Sequence, residues 1–396
     1  MHIAVDGGTW MNDRGYGRFT REVLTAAASL AGAHRFTIVI DSSVPADATP
    51  PLPSVQVRLH TPPARAASAA GHRSVRDLYA MSRALAAQPA DCVWFPSVYT
   101  YVPLAVRRPI VVCIHDVIAE RFPSRVFATR RARLFWNLKV RAALWQATRI
   151  VTVSAHARDG IAERFGLPPD AIRIVPEAPA ACFRPDADTG PARAALAGIG
   201  LPAEASFVLY VGGIAPHKNL VALVDTVAAL RRASRFADLN LLIVGDYSSD
   251  VFYSSYPEVR RHIDAANVGG IIFAGRLPDL VVAGLMRLAR AFVLPSLDEG
   301  FGLPAIEAAA CGAPVLVTRN SAMPEVLGDA ALYFDPSEAG GLERELQRLL
   351  SDAPLGTSLG MRASARAQRY TWTAAARALL AVFDEIAASH LATTGA

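Results

Sequence analysis

Two glutamates, Glu299 and Glu307, stand with seven residues between them on either side of Gly300-Phe301-Gly302-Leu303-Pro304. An apolar run ends at Leu294 just before them. Pro304 stands where the first turn of a helix would begin, and Gly312 where that helix would stop. The first N–H groups of a helix have no intrahelical acceptor, and its dipole adds roughly half a positive charge at that end. Here those groups belong to Phe301, Gly302 and Leu303, and such an end binds phosphate. Phosphate would repel both carboxylates, but each can accept hydrogen bonds from hydroxyls to one side of it. One carboxylate facing a sugar ring and one facing a ribose, flanking a diphosphate, is what a nucleotide sugar needs. Taken alone, the segment is read equally well as a strand–loop–helix junction whose acids favour a helix N-terminus.

A second segment alters that balance. Tyr210-Val211-Gly212-Gly213-Ile214-Ala215-Pro216-His217-Lys218-Asn219-Leu220 is another strand, glycine turn and helix start. Lys218 reaches a phosphate as a point charge. Two anion-directed turns at the carboxyl ends of parallel strands match where ligands bind in open α/β sheets.

These two segments, with Ala322-Met323-Pro324-Glu325-Val326 downstream, resemble the retaining glycosyltransferases of family 4, which have the GT-B fold. The resemblance implies two Rossmann-like domains whose parallel sheets face across a cleft. It implies that Glu299 contacts the donor sugar and Glu307 the ribose, that Lys218 holds the diphosphate, and that Phe301, Gly302 and Leu303 lend it their amides. It departs at one place. Many members carry an arginine just after the first glycine of the lysine turn, where this chain has Gly213. Lys218 and a helix end leave about one charge of a leaving diphosphate uncompensated. His217, Arg14 or Arg18 could supply it.

In the first half, Asp6-Gly7-Gly8 and Gly15-Tyr16-Gly17 follow an opening strand. A lone glycine-rich loop is weak evidence. A dinucleotide reading wants an acid after the second strand, where Asp41 stands, and so stays open. The resemblance instead turns Gly15, Tyr16 and Gly17 toward donor and acceptor. His115, in Val112-Cys113-Ile114-His115-Asp116, lies at a strand's carboxyl end. By itself it reads as a structural histidine bonded to Asp116 or to a backbone carbonyl. By resemblance it faces the transferred sugar or the acceptor, without acting as a general base. Ser154 reads as a helix N-cap.

Stepwise alternation of short apolar runs with Ala/Leu/Arg-rich helical stretches predicts parallel sheets. The runs are Ile3–Asp6, Phe36–Ile40, Val55–Leu59, Cys92–Phe95, Ile110–Ile114, Ile150–Val153 and Ile172–Val175, then Val208–Val211, Leu241–Val244, Ile271–Ala274, Phe292–Leu294, Val315–Val317 and Leu332–Phe334. A length of 396 residues suits two domains. We expect 1–180 to bind acceptor, 200–370 to bind the nucleotide sugar, and a helix over 371–390 to pack back on the first domain. Residues 61–73 and 247–257 read as long mobile loops.

No signal-like or membrane-spanning run is seen, so a cytoplasmic protein is expected. The nine histidines and four cysteines show no metal-ligand spacing, so neither metal nor cofactor is expected, and the thiols read as reduced. The formal charge of +5 favours anionic partners. Nucleic acid is not among those expected, since no recognition module accompanies the charge. Between Arg121 and Arg149 six cationic residues interleave with Phe127, Leu134, Phe135, Trp136, Leu138 and Trp145, and no acid intervenes. Such a helix either lies on an anionic membrane, binds an acceptor phosphate, or turns its apolar side to the core. The partners expected are thus a nucleotide-sugar donor, a glycan or lipid-linked acceptor and a peripheral membrane contact. The competing readings are a sugar-phosphate synthase or phosphorylase of the same fold, and a non-catalytic nucleotide-sugar binder. The first donor to test is GDP-mannose, which the Pro-His-Lys-Asn turn suggests by its likeness to mannosyltransferases.

Overall fold

The computed structural model describes residues 1–30, 32–61, 74–247, 254–267 and 269–394. Most of the two segments read as mobile loops, 62–73 and 248–253, lies outside the described residues. The chain divides into two compact units. One is Met1–Glu177 with Thr371–Ala396, the other Ala178–Tyr370.

Each unit is built on one parallel sheet. In the first, β1 (His2–Asp6), β2 (Arg35–Asp41), β3 (Ser54–Val57), β4 (Cys92–Phe95), β5 (Ile110–Cys113), β6 (Arg149–Thr152) and β7 (Ile172–Ile174) lie in the order β3-β2-β1-β4-β5-β6-β7. In the second, β8 (Phe207–Val211), β9 (Asn240–Val244), β10 (Ile271–Gly275), β11 (Ala291–Leu294), β12 (Val315–Thr318) and β13 (Leu332–Phe334) lie in the order β10-β9-β8-β11-β12-β13. Registers such as Ile3 opposite Phe36 and Phe292 opposite Val315 are parallel, as are all the described pairings. The central strands are buried on both faces, which is why they read as unbroken apolar runs. Strand order reverses between β1 and β4 in one unit and between β8 and β11 in the other. These are the switch points at which an open α/β sheet leaves a crevice.

Two features of the chain path bear on the site. Residues 181–199, left between the two expected domains, belong to the second unit, which begins at Ala178. There the Gly190–Gly198 helix packs so closely that a Cβ at Gly284 would come within 2.7 Å of Ala192. The Trp372–Thr394 helix belongs to the first unit. Its Trp372 meets Phe19 edge to face at 6.3 Å, and Phe383 packs among Phe36 and Trp94 at 6.0 and 6.2 Å. Glu385 accepts from Arg173 at 3.0 Å, close to the end of that seating.

Candidate functional site

At the second switch point the chain leaves β8 through Gly212, whose φ of 154° favours glycine. The buried Tyr210 hydroxyl donates to Gly213 O at 2.7 Å and pins the turn. Burial raises that phenol's pKa well above the ordinary value, and the Glu299 carboxylate adds to it, so it stays protonated and able to donate. A single 3-10 turn, Pro216–Lys218, follows, and Asn219 in the left-handed region (φ 55°) opens the Leu220–Arg232 helix. The loop after β11 is tied to this turn through Leu297 N, which donates to His217 O at 2.8 Å.

That tie brings the two sequence motifs together. Lys218 Nζ donates to Glu299 Oε1 at 2.7 Å, with the two side chains 19% and 9% exposed. Beside them Gly302, at φ 79°, caps the Leu303–Ala310 helix and accepts from Ala305 N at 2.9 Å. The Met323 thioether lies where a Cβ on Gly302 would go, and Ala322 N donates to Glu299 O at 3.1 Å. The Ala322–Val326 segment therefore braces the acidic loop from behind. Glu307 is buried in the helix, and the Phe301 ring packs edge to face on Tyr370 at 5.4 Å. Phe301 thus offers a ligand its backbone only. Position 213 opens outward, where a Cβ would meet no atom within 4 Å. Ser296 was not foreseen. Its hydroxyl is buried in the loop after β11 with no hydrogen-bond partner among the described residues.

The first unit uses its motif residues differently. Asp6 accepts from Gly8 N at 3.1 Å, and Cβ atoms at Gly7 and Gly8 would press on Ile40 and Thr100. Arg21 holds the following loop by donating to Trp10 O and Asn12 O at 2.6 and 2.8 Å. Gly15 begins the Gly15–Leu30 helix, and a Cβ at Gly17 would overlap the Asn12 carbonyl. Tyr16, half-buried, stacks on Tyr99 with ring centroids 5.0 Å apart, and burial pushes its phenol up to about 12. Asp41, the acid a dinucleotide site would need, accepts from Ser43 N at 2.8 Å within its own loop.

His115 is held at both ring nitrogens. Nε2 donates to Pro96 O at 3.0 Å, and Nδ1 faces Glu177 Oε1 at 3.4 Å. Burial alone would lower the pKa of this imidazole. Cys113 and the Glu177 carboxylate outweigh that and raise it well above the ordinary value. A carbonyl on one side and a carboxylate on the other call for a proton on each nitrogen, which is the imidazolium. A direct bond from His115 to a sugar hydroxyl would require giving up one of these contacts. Of the two structural partners expected for His115, the backbone carbonyl is the one seen at its ring, and Asp116 accepts from Ile118 N at 2.9 Å. Ser154 accepts from Ala157 N at 3.0 Å as an N-cap. Glu177 was not singled out by sequence. Its one signal is an acid two residues after the last apolar run of the first half, beyond Pro176.

No cluster of three or more His, Cys, Asp or Glu side chains with metal-site geometry occurs among the described residues. Cys92, Cys113 and Cys311 are buried free thiols, and burial pushes Cys92 and Cys311 up to about 12.

Two families of protein match this chain. The family described as Glycosyltransferase Family 4 matches residues 14–178, and that described as Glycosyl transferases group 1 matches residues 205–352. The chain belongs to the family 4 (group 1) glycosyltransferases. O-antigen chain mannosyltransferase B of Escherichia coli is 28% identical over 283 residues, 69% of each protein. A D-inositol 3-phosphate glycosyltransferase of Acidothermus cellulolyticus is 32% identical over 263 residues, 63% of this chain and 56% of that protein. The chain thus matches little more than half the length of this second relative. WaaG, a glycosyltransferase involved in lipopolysaccharide biosynthesis, superimposes with a TM-score of 0.72 at 18% identity, over 96% of this glycosyltransferase and 99% of WaaG. At that identity the likeness speaks for the fold, which is GT-B. The Lys218–Glu299 pair falls inside the group 1 match, and His115 inside the family 4 match.

Proposed function

We propose that this glycosyltransferase moves a hexosyl group from a nucleotide-diphosphate sugar to a glycan or lipid-linked acceptor in the cytoplasm, with retention at the anomeric carbon and without metal or further cofactor. The observation that carries the reading is the 2.7 Å contact of Lys218 Nζ with Glu299 Oε1 beside the Gly302 helix end. It gathers a cation, a helix N-terminus and two carboxylates at a switch point. In this reading Lys218 and the amides of Phe301, Gly302 and Leu303 hold the diphosphate. Glu307 accepts from the ribose and Glu299 from the donor sugar.

Transfer then needs no protein nucleophile. The bond from the anomeric carbon to the phosphate oxygen breaks while the acceptor oxygen bonds that carbon from the same face. The acceptor proton passes to the departing phosphate. The protein's part is to hold charge as it develops on the leaving group, the kind of help that fixed dipoles and cations give best. GDP-mannose is the first donor to test, supported by the name of the 28% identical E. coli relative.

Thermal unfolding against GDP, UDP, ADP and their common hexose conjugates, with and without EDTA, tests the reading. A ligand at a hundredfold its Kd stabilises by about 2.7 kcal/mol. Stabilisation by one base series that survives EDTA is expected. Loss of the shift with EDTA would overturn metal independence, and no shift with any nucleotide would overturn the donor site.

A further inference from the structure

The Arg130–Gln146 helix carries apolar residues on two opposite faces. One face is seated in the first unit through buried Trp136, Val140 and Ala143. Trp136 Nε1 donates to Glu120 Oε1 at 2.6 Å, and Lys139 Nζ donates to Tyr99 O at 3.1 Å while lying 4.5 Å over the Trp136 ring. These contacts satisfy the core-facing reading of the segment, and they leave the other face unexplained.

On that other face Leu134, Leu138, Arg141 and Trp145 follow at spacings of four, three and four, the spacing of one helical stripe. Leu134 is 57% exposed, Leu138 54% and Trp145 84%. Phe135, 57% exposed, flanks the stripe, with the Arg131 guanidinium 5.5 Å from its ring centroid. Arg130, Arg131, Arg133 and Arg141 are exposed around it, and no Asp or Glu occurs between Arg121 and Arg149. Four large apolar side chains together in water mark a surface that something covers.

The charges say what. A second copy of this chain docked on the same face would set four arginines against four. An anionic lipid surface supplies instead a phosphate layer for the guanidinium groups and an apolar layer just beneath it. Tryptophan favours that boundary, and arginine stems lie along apolar surface while their heads stay with phosphate. No helix among the described residues is long and apolar enough to cross a membrane, so the contact lies along the surface. We infer that the outer face of the Arg130–Gln146 helix docks this protein on an anionic lipid surface. The inference does not depend on which donor the second unit holds.

Sedimentation of the full chain with vesicles tests it, using phosphatidylcholine alone and phosphatidylcholine with phosphatidylglycerol, at low and high salt. Binding is expected to the anionic vesicles only and to weaken with salt. Arg130→Gln with Arg141→Gln should lower the affinity by about thirtyfold, taking roughly 1 kcal/mol for each cation near such a surface. Leu138→Ser with Trp145→Ser should abolish sedimentation, and the thermal midpoint should not fall, because both positions are exposed. Bromine-labelled acyl chains should quench tryptophan fluorescence in the wild type and much less in Trp145→Phe. No binding at low salt, equal binding to neutral vesicles, or unchanged binding of the variants would overturn the inference. A concentration-dependent dimer that the Leu138/Trp145 variant abolishes, without vesicle binding, would assign the face to a second copy instead.

Discussion

The two switch points share a topology and a glycine-bearing loop, yet they spend their glycines differently. In the first unit Gly7, Gly8 and Gly17 make room for the protein's own Ile40, Thr100 and Asn12. In the second, Gly302 makes room for the Met323 thioether at a helix end, while Gly213 faces open space. The cations differ as well. His115 is locked between Pro96 O and Glu177, whereas Lys218 sits partly exposed against a single carboxylate oxygen. On the proposed reading, a glycine-rich turn marks an anion site only where a cation is left partly exposed beside an open position.

The largest test of that contrast is Lys218→Ala. Turnover should fall on the order of a hundred- to a thousandfold, as when a transition-state charge partner is lost. The same substitution strands the Glu299 carboxylate, so Glu299→Gln added to it should recover the thermal midpoint while leaving turnover low. Recovery of turnover in the double variant would place Lys218 outside the chemistry.

Next in size is a pair of matched glycine variants. Gly17→Ala forces a methyl group onto the Asn12 carbonyl and should cost about 2–3 kcal/mol of stability. Gly213→Ala should stay within about 0.5 kcal/mol, because nothing stands in its way. Equal losses by denaturant unfolding would erase the distinction between a packed and an open turn.

The smallest effect is that of pH on the first unit. The His115 pKa is raised above its ordinary 6.5, so the folded state binds that proton more tightly than the unfolded one. The stabilisation is full below about pH 6.5, the unfolded value, and is lost as pH rises through the folded value. Unfolding curves of the wild type should show this loss, and those of Glu177→Gln should show less of it. An identical pH profile in the two would remove Glu177 as the partner.

Much of this was legible from residue order. Runs such as Val208–Val211 and Phe292–Leu294 declared strands because both their faces are buried. The edge strand was placed less well, read at Val55–Leu59 and found at Ser54–Val57, because it pairs on one side and its burial alternates. Glu299 and Glu307 were legible because their chemistry is local to one turn. The pairing of Lys218 with Glu299 joins residues 81 apart, and sequence reached it only through two separate motifs. His115 with Glu177 and Tyr16 with Tyr99 had no such motif to announce them. Nor could periodicity tell which side of the Arg130–Gln146 helix faces inward, since apolar residues occupy both.

The seating of the Trp372–Thr394 helix has a consequence for synthesis. The first unit takes its last helix from beyond the whole of the second, so Phe36 and Trp94 wait for Phe383 while residues 178–371 are translated. At about 5–20 residues per second that interval is roughly 10–40 s. Until Phe383 is made the nascent first unit leaves Phe36 and Trp94 uncovered before the ribosome exit and its attendant chaperones, whereas the second unit has every residue it needs once Tyr370 is added.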